Sequence, residues 1–378
     1  MDFPSHYEIV VPQSIENDLA QLNANAGALA PLYVDIGGEA NLSTYRTPDG
    51  KSLLDLCATS SLPNAALVLL NQGFSFHAAG NNLPPRHQWN HNHGYCGECS
   101  LIVAGLAYGQ YMSQYDAREL ASGSQCKELL LGINGHIALE KMHLQFEKWQ
   151  EEGANAFLSW IKAHVQQGHP VAIGVYMNQN QFFGTTDPDA GDDEYDHIVP
   201  ITQISDNTID YNDNGLWGDD SNPQYYFNSP LTAFPANREE ANAPSGPIYS
   251  LSDETLDYGV AILGVNDLKN ETFPVRILTN INDEPNEIQD HSEARPLPSP
   301  VSLLVCISRL TPGVTYNVYE YDDICSIPDS DFNNNSKGAK CTSISINSGS
   351  NYVFTRQITS DETIAFRVVQ KEQSRVQE

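Results

Sequence analysis

The hydrophobic pattern changes its period along the chain, and no other feature constrains the fold as much. Apolar residues recur at three- and four-residue spacings from Gly97 to about Gln114, which predicts a buried helix. Further helices are predicted at roughly 135–150 and at 154–166, where Gly168-His169-Pro170 is a stop signal. Strands are predicted after this signal, at 171–176, 197–201 and 208–211. Helices followed by strands predict an α+β domain.

The pattern changes again beyond about residue 266, where short β-type runs divided by turns predict a small all-β sandwich. The runs lie at 273–278, 301–307, 314–321, 342–346, 352–357 and 364–369. The segment 310–318 resembles the turn-and-strand entry of fibronectin type III modules. In such modules a tyrosine, here Tyr316, ties the corner down through its hydroxyl.

Length and charge narrow the class of protein. A chain of 378 residues and 41.7 kDa is more than one hydrophobic core usually organises, so two domains, or one enlarged domain with a smaller partner, are expected. Lys and Arg number 19 against 48 Asp and Glu, a net charge of −29 at pH 7. Such a field repels phosphate backbones and anionic lipids, so nucleic-acid and membrane-surface partners are not expected. No apolar run reaches the ~18 residues of a membrane span, and none is predicted.

The seven cysteines favour an oxidising compartment. An odd number suits three disulfides and one thiol kept free for chemistry, with Cys325–Cys341 and Cys306–Cys341 as open alternatives in the β part. The first residues have neither a basic region nor an apolar core, so the chain is either cytoplasmic or has lost a signal peptide. Three Asn-x-Ser/Thr sequons, at Asn41, Asn270 and Asn334, permit glycosylation. We predict a secreted or extracellular protein, with a cytoplasmic one as the alternative.

Cys96 is placed where a cysteine becomes reactive. It lies in Gly94-Tyr95-Cys96-Gly97, at the point where a glycine-containing turn becomes the first turn of the predicted helix. A thiol at a helix N-terminus faces backbone N–H groups and the positive end of the dipole, which stabilise its thiolate. Glycine beside it lets a substrate approach, and the backbone N–H of Cys96 can donate to an oxyanion formed next to it.

A cysteine nucleophile needs a base, and His197 is the best placed candidate because it heads a buried strand after a polar loop. The base in turn needs an orienting partner. Sixteen residues later, after one turn and one strand, the chain reaches Asp213, and a hairpin of that length returns it beside His197. These residues predict a Cys-His-Asp triad.

The same residues resemble the papain-like cysteine peptidases that process bacteriocin leaders at double-glycine sites. That family's Cys-Gly-x-Ala-x-Leu pattern and later Tyr-Gly pair are similar to Cys96-Gly97-Glu98-Cys99-Ser100-Leu101 and Tyr108-Gly109. Its strand before the histidine is similar to Gly168-His169-Pro170-Val171, and its histidine-to-aspartate interval is similar to His197–Asp213. The resemblance implies that Cys96 is the nucleophile, His197 the general base and acid, and Asp213 the orienter.

The chain departs from the family at two positions. The glutamine that completes the oxyanion hole six residues before the nucleophile is replaced by Asn90, with Gln88 two residues further back, and both stay candidates. Cys99 occupies the position of the alanine in the family pattern. This raises a rival alignment, because papain itself has a pattern similar to Cys-Gly-x-Cys in which the second cysteine attacks. Under that rival alignment Cys99 attacks and Cys96 is bridged, although the offsets of Leu101 and Tyr108 favour Cys96.

The patterns along the chain divide it into three segments. An N-terminal extension at 1–75 packs on a papain-like peptidase domain at 76–265, and the β-sandwich domain occupies 266–378. The implied activity is a thiol hydrolase that cleaves peptide or amide bonds through a thioester, with a peptide or protein as substrate. Two alternatives stay open: acyl transfer by the same triad, such as transglutamination or ligation, and a non-catalytic binding or adhesion protein on a degenerate peptidase fold.

No cofactor or metal is predicted. His87, His91, His93 and Cys96 have zinc-ligand chemistry but no second ligand pair of matching spacing. The segment 210–221 begins like a calcium loop but has Ser221 where the bidentate Glu belongs. Calcium at the acidic loop 187–196 stays an open alternative to a solvated face. The sequence has no Gly-x-Ser-x-Gly elbow, phosphate loop, His-Glu-x-x-His helix or dinucleotide fingerprint.

Overall fold

The computed structural model describes most of the chain. The described residues are 13–25, 29–42, 44–47, 51–72, 94–123, 132–212, 226–253, 257–279 and 299–372. Three predicted site residues lie outside them, namely Gln88, Asn90 and Asp213, as do Cys126 and the three histidines before Cys96. Along the described residues, no helix combines the length and the apolarity that crossing a bilayer requires.

The fold is mixed α+β, as predicted, with mostly antiparallel strands. The described helices are α1 (Gln13–Asn25), α2 (Ala30–Asp35), α3 (Leu53–Thr59), α4 (Pro63–Asn71), α5 (Cys96–Leu106), α6 (Gln114–Ser122), α7 (Gly135–Lys141), α8 (Ala154–Gln166), α9 (Gln179–Phe183), α10 (Arg238–Ala241) and α11 (Phe332–Asn335). The described strands are β1 (Gln110–Tyr111), β2 (Leu144–Lys148), β3 (Val171–Met177), β4 (His197–Ile204), β5 (Thr208–Asn212), β6 (Tyr226–Pro230), β7 (Pro235–Ala236), β8 (Tyr249–Ser252), β9 (Gly259–Val265), β10 (Thr272–Phe273), β11 (Val275–Thr279), β12 (Pro300–Ile307), β13 (Thr315–Tyr321), β14 (Lys340–Ser345), β15 (Tyr352–Thr359) and β16 (Ile364–Gln370).

The central segment is built on one sheet with the strand order β2-β9-β3-β4-β5-β6. β8 pairs with the end of β3, and β7 lies parallel to β8. α5 packs on one face, where Leu101 shares a buried cluster with Ile198. α8 packs on the other face, where Phe157 shares a cluster with Val199. β4 is therefore covered by α5 on one face and by α8 on the other. His197, the first residue of β4, lies at the strand end between these two helices.

Two predicted helices end earlier than their pattern indicated. The helix predicted to reach about Gln114 ends at Leu106, because Gly109 adopts a left-handed conformation and the chain enters β1. The helix predicted over 135–150 ends at Lys141, and β2 follows a left-handed residue, His143. The helix at 154–166 and the strands at 171–176, 197–201 and 208–211 are confirmed by α8, β3, β4 and β5.

Two antiparallel sheets face each other across one core in the C-terminal part. One has the order β11-β12-β15, and the other has the order β1-β16-β13-β14 with β10 also paired to β16. Ile277 and Val305 of the first sheet share a buried cluster with Val318 and Phe366 of the second. Each of the six predicted β-type runs contains a strand. At the corner before β13, the Tyr316 hydroxyl accepts a 2.8 Å hydrogen bond from the N–H of Thr311.

The N-terminal helices α1 to α4 cover the three-stranded sheet. Cys57 of α3 shares a buried cluster with Leu278, Leu304 and Cys306, on the outer face of that sheet. Those apolar side chains would face water if the helices were absent, so burying them stabilises this arrangement.

The α5 helix is attached to the C-terminal sheet at its end. Gly109 follows it with φ of +71°, and a Cβ there would lie 2.9 Å from Val275. The carbonyl of Gly109 accepts a 2.8 Å hydrogen bond from the N–H of Phe366. Glycine is required because a side chain would both strain the backbone and collide with β11. The helix that begins with Cys96 is therefore joined at its other end to the last strand, β16.

Candidate functional site

Cys96 is the first residue of α5 and is half-buried. Its N-cap residue, Tyr95, makes no side-chain capping bond to the first turn of the helix. Gly94 precedes it with φ of +84°, which produces the sharp entry turn. The thiol thus lies at the positive end of a helix and within reach of solvent.

A buried ion pair holds this turn in place. Arg118 of α6 and Glu98 in the first turn of α5 are each 1% exposed, and Nε lies 2.6 Å from Oε1. The same guanidinium donates through Nη2 to the carbonyl of Gly94 and lies 3.6 Å from the ring centre of Tyr95. Arg118 therefore contacts the two residues before Cys96 and the charged residue two positions after it.

A hydroxyl connects α5 to β4. Ser100 Oγ lies 2.8 Å from the carbonyl oxygen of Cys96 and 3.1 Å from that of Ile198, so its single proton is shared between them. Ile198 directly follows His197 in β4. The structure therefore brings the segments of the predicted nucleophile and the predicted base together.

His197 is 2% exposed, and its ring lies 5.5 Å from that of Tyr249. Tyr249 belongs to the cluster under α8, whereas Cys96 packs with Ile198 on the opposite face of the sheet. A thiol and an imidazole on two faces can meet only around the end of the strand. His197 is the residue at that end.

Asp196, just before His197, is held by an ion pair. Its carboxylate lies 2.7 Å from Nη1 of Arg238 and accepts a 2.8 Å hydrogen bond from the N–H of Met177. The Arg238 guanidinium lies 3.6 Å from the ring centre of Tyr176. The other acidic residues of the loop 187–196 are exposed. Asp196 is thus engaged by protein groups and fixes the approach of the chain to His197.

Two stacked tyrosines form a wall beside Cys96. The rings of Tyr195 and Tyr258 are 5.4 Å apart, and both pack in the cluster that contains Cys96. Burial first, and then the charges of Tyr195 and Cys96, raise the pKa of Tyr258. A Cβ on Gly174 would lie 2.6 Å from the ring of Tyr195, so glycine at that position makes room for this wall.

Asp257, directly before Tyr258, is a buried carboxyl whose two oxygens accept no hydrogen bond from the described residues. Burial raises its pKa from 3.8 to about 7. Since the folded protein disfavours the charged form, stability is lost as the pH rises from about 4 to about 8.

Asp257→Asn is expected to remove that loss. The variant should be stabilised relative to the wild type by on the order of 2 kcal/mol at pH 8 and by much less at pH 4. Thermal melts of both proteins at the two pH values measure this. The exposed neighbour Asp253, replaced in the same way, is the control. An equal difference at both pH values would contradict the titration of Asp257.

Exposure distinguishes the cysteines. Cys99, the rival nucleophile, is 0% exposed in the second turn of α5, and Cys57 and Cys306 are also buried. Cys325 and Cys341 are exposed, and no disulfide joins the six described cysteines. No three His, Cys, Asp or Glu side chains of the described residues converge so as to hold a metal ion.

Sequence reasoning missed several side chains of this site. Arg118, Ser100, Tyr249 and Arg238 each contact a predicted site residue or its neighbour. The sequence could have indicated a buried role for Arg118, because this charged residue lies beside the buried alanines of α6. Nothing in the sequence pattern indicates that Arg118 pairs with Glu98, which lies twenty residues earlier in the chain. Asn212, the residue before the predicted Asp213, is the buried last residue of β5.

No protein-family model matches the chain, and no curated protein matches it.

Proposed function

We propose that this protein is a papain-like thiol hydrolase that cleaves peptide or amide bonds through a thioester at Cys96. The observation that carries the proposal is the position of Cys96. It is a half-buried thiol at the start of a helix that packs, through Ser100, on the strand headed by His197. Helix N-termini stabilise thiolates, and an imidazole next to a thiolate provides the base and acid of acyl transfer.

The reaction then divides into two acyl-transfer steps. The Cys96 thiolate attacks the carbonyl carbon, and the oxyanion accepts hydrogen bonds from the backbone N–H of Cys96 and from Asn90 or Gln88. His197, oriented by Asp213, gives its proton to the leaving amine, which leaves a thioester on Cys96. The neutral imidazole then takes a proton from water, which attacks the thioester and releases the acid.

The buried state of Cys99 supports Cys96 as the nucleophile. A sulfur that is 0% exposed cannot reach a substrate carbonyl unless the helix start is rebuilt. The same helix start is held by the Glu98–Arg118 pair. We assign the two-sheet C-terminal part to a β-sandwich of fibronectin type III type that acts as a binding or spacing module. The Tyr316 corner bond supports that assignment.

The experiment that tests this proposal is alkylation of the native protein with iodoacetamide at pH 6, followed by peptide mapping. An ordinary thiol of pKa about 8.5 is less than about 1% ionised at pH 6. Cys96 is expected to react at least about tenfold faster than the exposed Cys325 and Cys341. Partial burial, and then Asp323, raise the pKa of Cys325, which makes it an internal control.

Fast labelling at Cys99 would identify Cys99 as the nucleophile in place of Cys96. Equal, slow labelling of Cys96 and Cys341 would overturn the hydrolase proposal in favour of a non-catalytic binding protein.

A further inference from the structure

The carboxylate of Asp196 accepts four hydrogen bonds at the point where the chain enters β4. Arg238 donates to both of its oxygens, through Nη1 to Oδ2 at 2.7 Å and through Nη2 to Oδ1 at 3.2 Å. The N–H of Met177 donates to Oδ2 at 2.8 Å, and the N–H of Asp192 donates to Oδ1 at 2.7 Å. An arginine that binds both oxygens of a carboxylate fixes its direction as well as its distance. We call this ion pair the Arg238–Asp196 clamp.

The clamp is largely shielded from water. The side chains of Arg238 and Asp196 are 11% and 7% exposed. The guanidinium lies over the ring of Tyr176, 3.6 Å from its centre, and Nη2 also donates to the carbonyl of Asp192. An ion pair with so little exposure is screened much less than a surface pair, so it can hold one geometry.

The loop before β4 is shaped to admit the clamp at Gly191. This glycine has φ of +109°, and a Cβ on it would lie 2.6 Å from Oδ1 of Asp196 and 2.8 Å from Nη1 of Arg238. Both distances are too short for a side chain to fit without a shift, and the positive φ adds a cost for any residue other than glycine. A substitution of Gly191 therefore disturbs the clamp without changing any charge.

The clamp reaches His197 from two directions. Asp196 directly precedes His197, and its N–H donates at 3.0 Å to the carbonyl of Val175, which is also the residue paired with His197. Met177, whose N–H donates to the clamp, pairs with Tyr249 of β8. The ring of Tyr249 lies 5.5 Å from that of His197. One carboxylate thus fixes both the backbone before the imidazole and the strand that pairs with the strand of its ring neighbour.

We propose that the Arg238–Asp196 clamp positions His197, and that both residues of the clamp hold the imidazole at the end of β4 where the Cys96 thiol can meet it. This role rests on the proposed function. Arg238 and Asp196 act through His197 and not on the substrate, so they are positioning residues. A displacement of about 1 Å in a catalytic group can lower a rate about a hundredfold, which makes such a clamp consequential.

The test is the pH profile of Cys96 alkylation by iodoacetamide, measured in three variants that weaken the clamp with different changes of charge. Arg238→Met removes a positive charge, Asp196→Asn removes a negative charge, and Gly191→Ala removes neither. If the clamp positions His197, all three variants should raise the pH of half-maximal alkylation and slow labelling at pH 6 at least about threefold. Action through charge alone would shift the profile in opposite directions in the first two variants and leave it unmoved in Gly191→Ala.

Two control variants match these changes. Gly184→Ala is the control for Gly191→Ala, because Gly184 is exposed, has φ of +67°, and a Cβ on it meets nothing within 4 Å. Arg356→Met is the control for the charge variants, since Arg356 pairs with Glu320 in a half-exposed ion pair. A variant that only loses stability melts at a lower temperature without moving the pH profile, so melting temperatures are measured beside the profiles.

Peptide cleavage provides a second readout. The three clamp variants should lower kcat about tenfold to a hundredfold with little change in KM, because neither side chain of the clamp contacts the substrate.

Parallel shifts of the profile in the three clamp variants, with both controls unmoved, would support the positioning role. Fast labelling of Cys96 in the wild type, with a profile that the three variants leave unmoved or that the two charge changes move in opposite directions, would overturn the clamp alone. A wild type in which Cys96 labels no faster at pH 6 than the exposed Cys341 would overturn the proposed function and the clamp with it.

Discussion

Arg118→Met is expected to lower the free energy of unfolding by about 3–5 kcal/mol, because it removes the guanidinium that pairs with the buried Glu98 carboxylate. Both side chains are 1% exposed, so water cannot replace the lost guanidinium. The variant also loses the bond to the carbonyl of Gly94 and the contact with the ring of Tyr95. Denaturant unfolding of the variant and the wild type measures the effect.

The double variant Glu98→Gln with Arg118→Met distinguishes a buried charge from lost packing. Without the carboxylate there is no unpaired charge, so the double variant should be more stable than Arg118→Met alone. Arg356→Met is the matched control, since its ion pair with Glu320 is half-exposed and should contribute about 0–1 kcal/mol. A double variant less stable than Arg118→Met would contradict the buried-pair argument.

The pair should also affect the site. Arg118→Lys keeps the charge but cannot bind Glu98 and Gly94 at once through a planar fork. We expect it to fold and to alkylate Cys96 more slowly at pH 6 than the wild type. That result would identify Arg118 as a positioning residue for the start of α5.

The parts of the fold with strong local signals were predictable. The amphipathic pattern and the Gly168-His169-Pro170 stop define α8, and the apolar runs after it define β3 and β4. The helix predicted over the residues of β2 is wrong because this strand depends on pairing with β9, more than a hundred residues later. The packing of α3 on β12 likewise depends on Cys306, far along the chain from Cys57.

The residues of the candidate site likewise fall into those that the sequence could predict and those that it could not. Cys96 and His197 are predictable as candidates because helix starts and strand starts leave local patterns. The contacts of Arg118 with Glu98, of Arg238 with Asp196, and of Tyr249 with His197 join separate elements. Such pairs follow from tertiary packing, which no spacing in a single sequence encodes.

Under the proposed function, Cys96→Ala is expected to lower peptide cleavage at least about a thousandfold, because it removes the thiol that would form the thioester. Cys99→Ala should stay within about tenfold of the wild type, since its sulfur is buried in the helix. Cleavage of a complex peptide library, followed by mass spectrometry of the new termini, measures both rates on many candidate substrates at once. Loss of cleavage in Cys99→Ala alone would move the nucleophile to that residue.

His197→Ala should lower the same cleavage by roughly a hundredfold to ten-thousandfold, the usual contribution of a general acid and base. Under the proposed function it should also slow the alkylation of Cys96 at pH 6, because the imidazole that would stabilise the thiolate is removed. The matched control is His143→Ala, whose imidazole lies 2.9 Å from Asp329 and away from Cys96. If His197→Ala left both rates at the level of the control, the imidazole and the thiol would not meet around the end of β4. Slower cleavage together with slower alkylation would instead show that Cys96 and His197, from the two faces of the sheet, act together as one reactive pair.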